Sequence, residues 1–183
     1  MRHLLLSGLM MLASLPAWAD LTGDTLEWDY YAYGSIYQVG NTWVVPGSGG
    51  NFGLSCCSVS YFNIFSDATS ISFDYTGSGT WSSSALSLAP TNYNGIAINL
   101  DSGAPFTSVT IDPATNMAGF NASRISFTAN QIQVDWQNLS WSPSTVVTLD
   151  VNASTPEPAA ITTFALLLAV LCWYKRKHIF ARG

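Results

Sequence analysis

The chain has 183 residues, of which only 9% are charged, with six Lys and Arg against eleven Asp and Glu. Between Asp20 and Thr155 the only basic residue is Arg124, set against ten carboxylates, and there is no Lys and no His. That balance leaves nothing to neutralise phosphates, which excludes nucleic-acid binding, and it removes the His and Lys on which most nucleophilic, zinc and P-loop chemistry depends.

The chain opens with Met1-Arg2-His3, followed by an apolar run from Leu4 to Leu15 that is too short to cross ~30 Å of hydrocarbon. Pro16 breaks the run before Ala17-Trp18-Ala19, a small-x-small cleavage pattern. Residues 1–19 therefore read as a secretory signal peptide cut after Ala19.

From Thr25 onward apolar residues alternate in short bursts. Leu26/Trp28/Tyr30, Ile71/Phe73/Tyr75, Leu86/Leu88, Ile96/Ile98/Leu100, Val109/Ile111, Ile125/Phe127, Ile132/Val134/Trp136 and Val147/Leu149/Val151 each fit a strand with one buried face. Turns are expected at Gly47 to Gly50, Gly77 to Gly79, Asn94-Gly95, Asp101 to Pro105, Asp112-Pro113 and Ser142-Pro143. The spacing predicts that residues 20–153 form one all-β exported domain, an antiparallel β-sandwich of the jelly-roll or immunoglobulin-like kind, with a closed barrel as the alternative. Ser, Thr and Asn take the place of charges on its wetted face.

The candidate chemical groups are few. Glu27 and Asp29 share a strand face, and Asp135 or Asp74 is the candidate second carboxylate that a glycosidase would need. Solvated acids alternating with the core are the simpler account, and no enzyme activity is expected. No cofactor is expected either, and no metal-ligating residue is assigned. Calcium is the one candidate, on Asp20, Asp24 and Glu27 or on Asp101 with Asp112, without the acid spacing of a calcium loop. Adjacent Cys56 and Cys57 are the candidate vicinal disulfide, which would be strained because neighbouring Cα atoms lie ~3.8 Å apart, with disulfides to another molecule or a pair of thiols alternating in and out of a strand as the alternatives. Trp28, Trp43, Trp81, Trp136 and Trp141 supply core, and any left together on one face would make a platform for sugar rings. The densest aromatic cluster is Tyr30, Tyr31 and Tyr33, in which Tyr31 and Tyr33 share the face opposite Tyr30 and are the candidate glycan-stacking pair.

The C-terminal segment has three parts in order: Pro156-Glu157-Pro158, an apolar stretch over about 159–174, and Lys175-Arg176-Lys177-His178. Sixteen residues of helix span about 24 Å, which crosses a bilayer with snorkelling flanks. The prolines place the helix start near Ala159, and Lys175, Arg176 and Lys177 act as a stop-transfer cluster that stays cytoplasmic. The tail is taken as residues 154–183.

In order and spacing this tail resembles the PEP-CTERM sorting signal of Gram-negative bacteria, whose members also carry signal peptides. Thr155 stands where that pattern often has Val. The stretch from Ser108 to Val151 is also similar to ectodomains of unassigned function in other members. The resemblance implies that exosortase, a membrane transpeptidase, is a partner that reads Pro156, Glu157 and Pro158 and removes the tail. It also implies transient residence in the cytoplasmic membrane and release to the cell surface or an exopolysaccharide matrix. The expected function is that of an exported surface or biofilm-matrix protein, with a carbohydrate-binding module, or a carboxylate-based glycoside-active enzyme, as the alternative.

Overall fold

A computed structural model describes residues 20–32, 35–54, 59–83 and 94–154. The strands, in chain order, are β1 (Thr25–Ala32), β2 (Ser35–Val44), β3 (Gly47–Leu54), β4 (Val59–Ser66), β5 (Ser70–Tyr75), β6 (Gly79–Thr80), β7 (Gly95–Ser102), β8 (Phe106–Ile111), β9 (Ile125–Thr128), β10 (Gln131–Asp135), β11 (Ser140–Trp141) and β12 (Val146–Ala153). Among the described residues the only helical element is a single 3-10 turn, Ala122–Arg124, capped by Asn121. No described helix is long and apolar enough to cross a membrane. The signal segment with Ala17 and Ala19, the tail from Thr155 onward and the Leu86/Leu88 burst lie outside the described residues.

Two five-stranded sheets carry the fold, ordered β2-β1-β7-β10-β9 and β3-β4-β5-β12-β8, with a small β11-β6 ladder beside them. Every pairing is antiparallel. The expected all-β, sandwich-like architecture is present. Among the described residues the two sheets are separate ladders, with no strand pairing that joins them into a closed barrel.

Alternation accounts for the packing of the two sheets. Leu26, Trp28, Tyr30 and Ala32 of β1 point inward with Ile96 and Ile98 of β7 and Ile132 and Val134 of β10, all at 8% exposure or less. Phe62, Ile64, Ile71, Phe73, Tyr75, Val147, Leu149 and Val151 face them from the second sheet. Trp136 follows β10 directly and is fully buried. Its ring meets Phe73 at 5.3 Å, Phe62 at 6.0 Å and Tyr75 at 6.0 Å, each edge to face, and Phe120 at 5.6 Å. A second aromatic group, Tyr30, Phe52, Tyr61, Trp81 and Trp141, continues the slab, with Trp81 and Trp141 centred 4.9 Å apart. Such edge-to-face contacts add about 0.5–1.5 kcal/mol each beyond the area they bury.

One expected turn is a strand. Gly47 to Gly50 begin β3, which pairs with β4. Gly49 is needed there because two indoles lie on it: a Cβ would stand 2.9 Å from Trp43 and 3.2 Å from Trp28. The chain reaches β3 from β2 through Val45 and Pro46, joined by a cis peptide. The N-terminal turn pins this crossover, since Val45 N–H donates to the Asp24 carbonyl at 3.0 Å and Gly23 N–H to the Val45 carbonyl at 2.8 Å.

Opposite Trp28, strand β2 bulges so that Gly40 and Asn41 face one residue of β1. A Cβ on Gly40 would fall inside the Trp28 indole and against its carbonyl oxygen. The indole is held in place by donating to the Gly49 carbonyl at 2.7 Å. Gly40→Ala is therefore expected to cost about 2 kcal/mol or more, as overpacking that side-chain rotation cannot relieve. Urea unfolding followed by tryptophan fluorescence checks this, and an unchanged midpoint would contradict it.

Candidate functional site

The outer face of the first sheet gathers four of the candidate residues, Glu27, Asp29, Tyr31 and Asp135. Outward parity places Glu27, Asp29 and Tyr31 of β1 beside Asn99 and Ala97 of β7, Gln131, Gln133 and Asp135 of β10, and Ser126 and Thr128 of β9. Thr42, Val39 and Ile36 of β2 pair with Glu27, Asp29 and Tyr31 on the other side. Val39 is 63% exposed and Ile36 46%, so an apolar rim borders a polar field.

Within that field the side chains form one directed chain of hydrogen bonds. Ser126 Oγ donates to Gln133 Oε1 at 3.0 Å, and Gln133 Nε2 donates to Gln131 Oε1 at 2.6 Å. Gln131 Nε2 donates to Asn99 Oδ1 at 2.8 Å, and Asn99 Nδ2 donates to Asp29 Oδ2 at 2.7 Å. Every donor points the same way and the carboxylate terminates the row, an arrangement in which each bond polarises the next. Gln131 also hydrogen-bonds Tyr31.

Electrostatics follow from burial. Asp29 is only 6% exposed, and desolvation raises its carboxyl above the usual range while the Asn99 amide pulls it partly back. Burial also raises the Tyr31 hydroxyl, helped by the Asp29 charge and opposed by Gln131. Arg124 is committed internally: its Nη1 donates to Asp135 Oδ2 at 3.1 Å and to the Gln137 carbonyl at 2.7 Å.

The other expectations fall as follows. All five Trp between Asp20 and Thr155 are buried, at 8% exposure or less, so none forms an exposed sugar platform. Trp28, Trp43 and Trp81 donate to Gly49 O, Ser66 Oγ and Tyr75 Oη, whereas the indole N–H groups of Trp136 and Trp141 find no acceptor among the described residues. Tyr31 lies on the outer face as expected. Tyr33, Cys56, Cys57, Pro156, Glu157, Pro158, Lys175, Arg176 and Lys177 lie outside the described residues. Asp74 sits on β5 in the other sheet, away from Glu27 and Asp29.

For calcium, no group of three potential ligands comes together among the described residues. Asp20 Oδ1 accepts from Thr22 N–H, and Asp24 Oδ1 accepts from Ala104 N–H at 3.3 Å. Asp112 Oδ1 accepts from Ala114 N–H and lies beside Asp150, whose carboxyl is raised by burial and then by the Asp112 charge.

Asn99, Gln131, Gln133 and Ser126 are site residues that the sequence reading passed over. Alternation around Ile132 and Val134 placed the two glutamines outward, but only strand register brings them to Asn99 and Asp29. No protein family, no curated protein and no solved structure matches the chain.

Burial also raises the Asp24 carboxyl, whose Oδ2 has no partner among the described residues. A carboxyl raised in the folded state favours folding most below its unfolded value, about pH 4, and that contribution is lost as pH rises through the folded value. Asp67 works in the opposite direction, because the Thr69 N–H holds it low. Asp29→Asn keeps an oxygen for Asn99 to donate to and removes one titration. Its unfolding free energy should therefore fall less between pH 4 and 7 than that of the wild type, by urea denaturation at each pH. Parallel pH profiles for the two proteins would contradict this.

Proposed function

We propose that this chain is an exported surface or extracellular-matrix protein that is sorted through its C-terminal tail, with exosortase reading Pro156, Glu157 and Pro158. The observation that carries this reading is where the fold stops. The final strand, β12, is an inner strand of the second sheet between β5 and β8, and Ser154 N–H donates to the Pro105 carbonyl at 2.8 Å. The last backbone tie among the described residues thus stands two residues before Pro156, and every described core residue precedes the motif. In this reading residues 1–19 are the signal peptide, about 159–174 cross the cytoplasmic membrane transiently, and Lys175, Arg176 and Lys177 stay inside.

Of the two sandwich classes, the jelly-roll class is the one we favour. Chain passages between the sheets recur at β2 to β3, β5 to β7, β7 to β8, β8 to β9 and β10 to β12, and distant strands such as β1 and β7 or β5 and β12 become neighbours.

A carbohydrate-binding role is the second reading, favoured by the ordered amides beside Tyr31. A glycosidase would set two carboxyls across a bond. Here Glu27 and Asp29 stand along one strand and Asp135 is held by Arg124, an arrangement that supports binding without hydrolysis.

Co-expression of the full chain with exosortase tests the sorting claim. A mature protein whose C-terminal peptide ends before Lys175 by mass spectrometry is expected, and Pro156→Ala combined with Pro158→Ala should leave the tail attached. A wild-type mature protein that keeps Lys175 to Lys177 would contradict it.

A further inference from the structure

We infer that the outer face of the first sheet binds an uncharged polysaccharide, whose hydroxyls are read by Asn99, Gln131 and Gln133 with Tyr31 at the β1 end. This rests on the carbohydrate-binding reading above and adds the ligand class and the place.

The first argument is pre-organisation. A primary amide has two N–H donors and two carbonyl lone pairs. The hydrogen-bond row uses one N–H of each of Asn99, Gln131 and Gln133 and fixes how each amide is turned. Asn99 and Gln133 each keep one N–H, the second N–H of Gln131 goes to Tyr31, and the amide oxygens beside them keep a lone pair, a set that complements a hydroxyl, which both donates and accepts. Fixing these long side chains in advance removes an ordering cost that binding would otherwise carry.

The second argument is extent. From Asp29 on β1 to Ser126 on β9 the row crosses three strand intervals, roughly 14 Å at ~4.8 Å per interval. That length suits a run of linked sugars better than a single ring. Beside it, exposed Ile36 and Val39 border Tyr31 and Asp29, giving the C–H faces of sugar rings an apolar rim. An apolar surface with a few placed polar groups is the usual composition of a small-ligand site.

The third argument is charge. Arg124 is the only basic side chain among the described residues, and Asp135 with the Gln137 carbonyl already holds it. A uronate would therefore meet Glu27, Asp29 and Asp101 without a cation to pair with. A cationic glycan would find Asp29 buried under the Asn99 bond and Asp135 already neutralised, which leaves it only Glu27 and Asp101, neither of them a member of the row. The uncharged class is the one that this set of groups fits.

Affinity electrophoresis of the detergent-solubilised full chain tests the inference, with gels containing hydroxyethylcellulose, galactomannan or mixed-linkage β-glucan, and with polygalacturonate and a glucosamine polymer as charged counterparts. Tyr31→Ala and Gln133→Leu alter the face, and Thr110→Val on the outer face of the second sheet is the control. Near-ultraviolet dichroism of the buried tryptophans reports that each variant is folded. The expected result is retardation in at least one uncharged gel that persists in about 1 M salt and in chelator. Each face variant should raise the Kd about tenfold, the scale of one lost hydrogen-bonding or stacking group, and Thr110→Val should leave it unchanged. Retardation confined to charged gels, or equal for wild type and both folded face variants, would overturn the site while leaving glycan binding standing. No retardation in any gel would overturn the carbohydrate-binding reading and this inference with it.

Discussion

The contact on which the structure depends is that of Trp136 with Phe62, Phe73 and Tyr75 across the space between the two sheets. A domain with one ion pair among its described side chains cannot draw its cohesion from charge, and exposed pairs contribute little in any case. Apolar and aromatic burial has to hold it together. The slab formed by the tryptophans and their neighbours does so, and it decides which residues are left over for the surface. Every indole in the domain goes inward, and beside the apolar rim of β2 the outer face of the first sheet is made largely of Thr, Ser, Asn, Gln and Asp.

That division explains the character of the outer face of the first sheet. Its strands are anchored from beneath by Leu26, Trp28, Ile96, Ile98, Ile132 and Val134, all nearly or fully buried. A face fixed from below in this way can hold Asn99, Gln131 and Gln133 in one directed row, because their backbone positions do not drift. Asp29 closes the row at a cost, as its raised carboxyl records, and the Asn99 amide offsets part of that cost. Burial of an ionisable group in a strand whose other outward residues are wetted is the local rule this sheet breaks, and such breaks tend to fall at functional places.

Much of the fold was legible where large apolar residues recur at every second position, as in β1, β5, β7, β10 and β12. It failed over residues 35–66 for identifiable reasons. Strand β2 carries Ile36, Tyr37 and Val39 in exposed positions and bulges twice against β1, so its apolar residues keep no period of two. The Gly47 to Gly50 run looks like a turn, yet Gly49 is small because Trp28 and Trp43 pack on it. The tyrosine cluster pointed to the outer face of the first sheet through Tyr31. The amide row stayed hidden because it joins residues 29, 99, 126, 131 and 133, and nothing in local sequence states the register that aligns them. Pairing with distant strands had to be known first.

The most direct test of this account is the mobility of the Gln131 and Gln133 side-chain amides, measured by nitrogen-15 relaxation of their NH2 groups in the wild-type protein. If the row is a fixed array built on the aromatic slab, their order parameters should approach the rigid-backbone value of about 0.85. Values below about 0.6, the range of freely moving groups, would show that the amides are not held in place and would contradict the account.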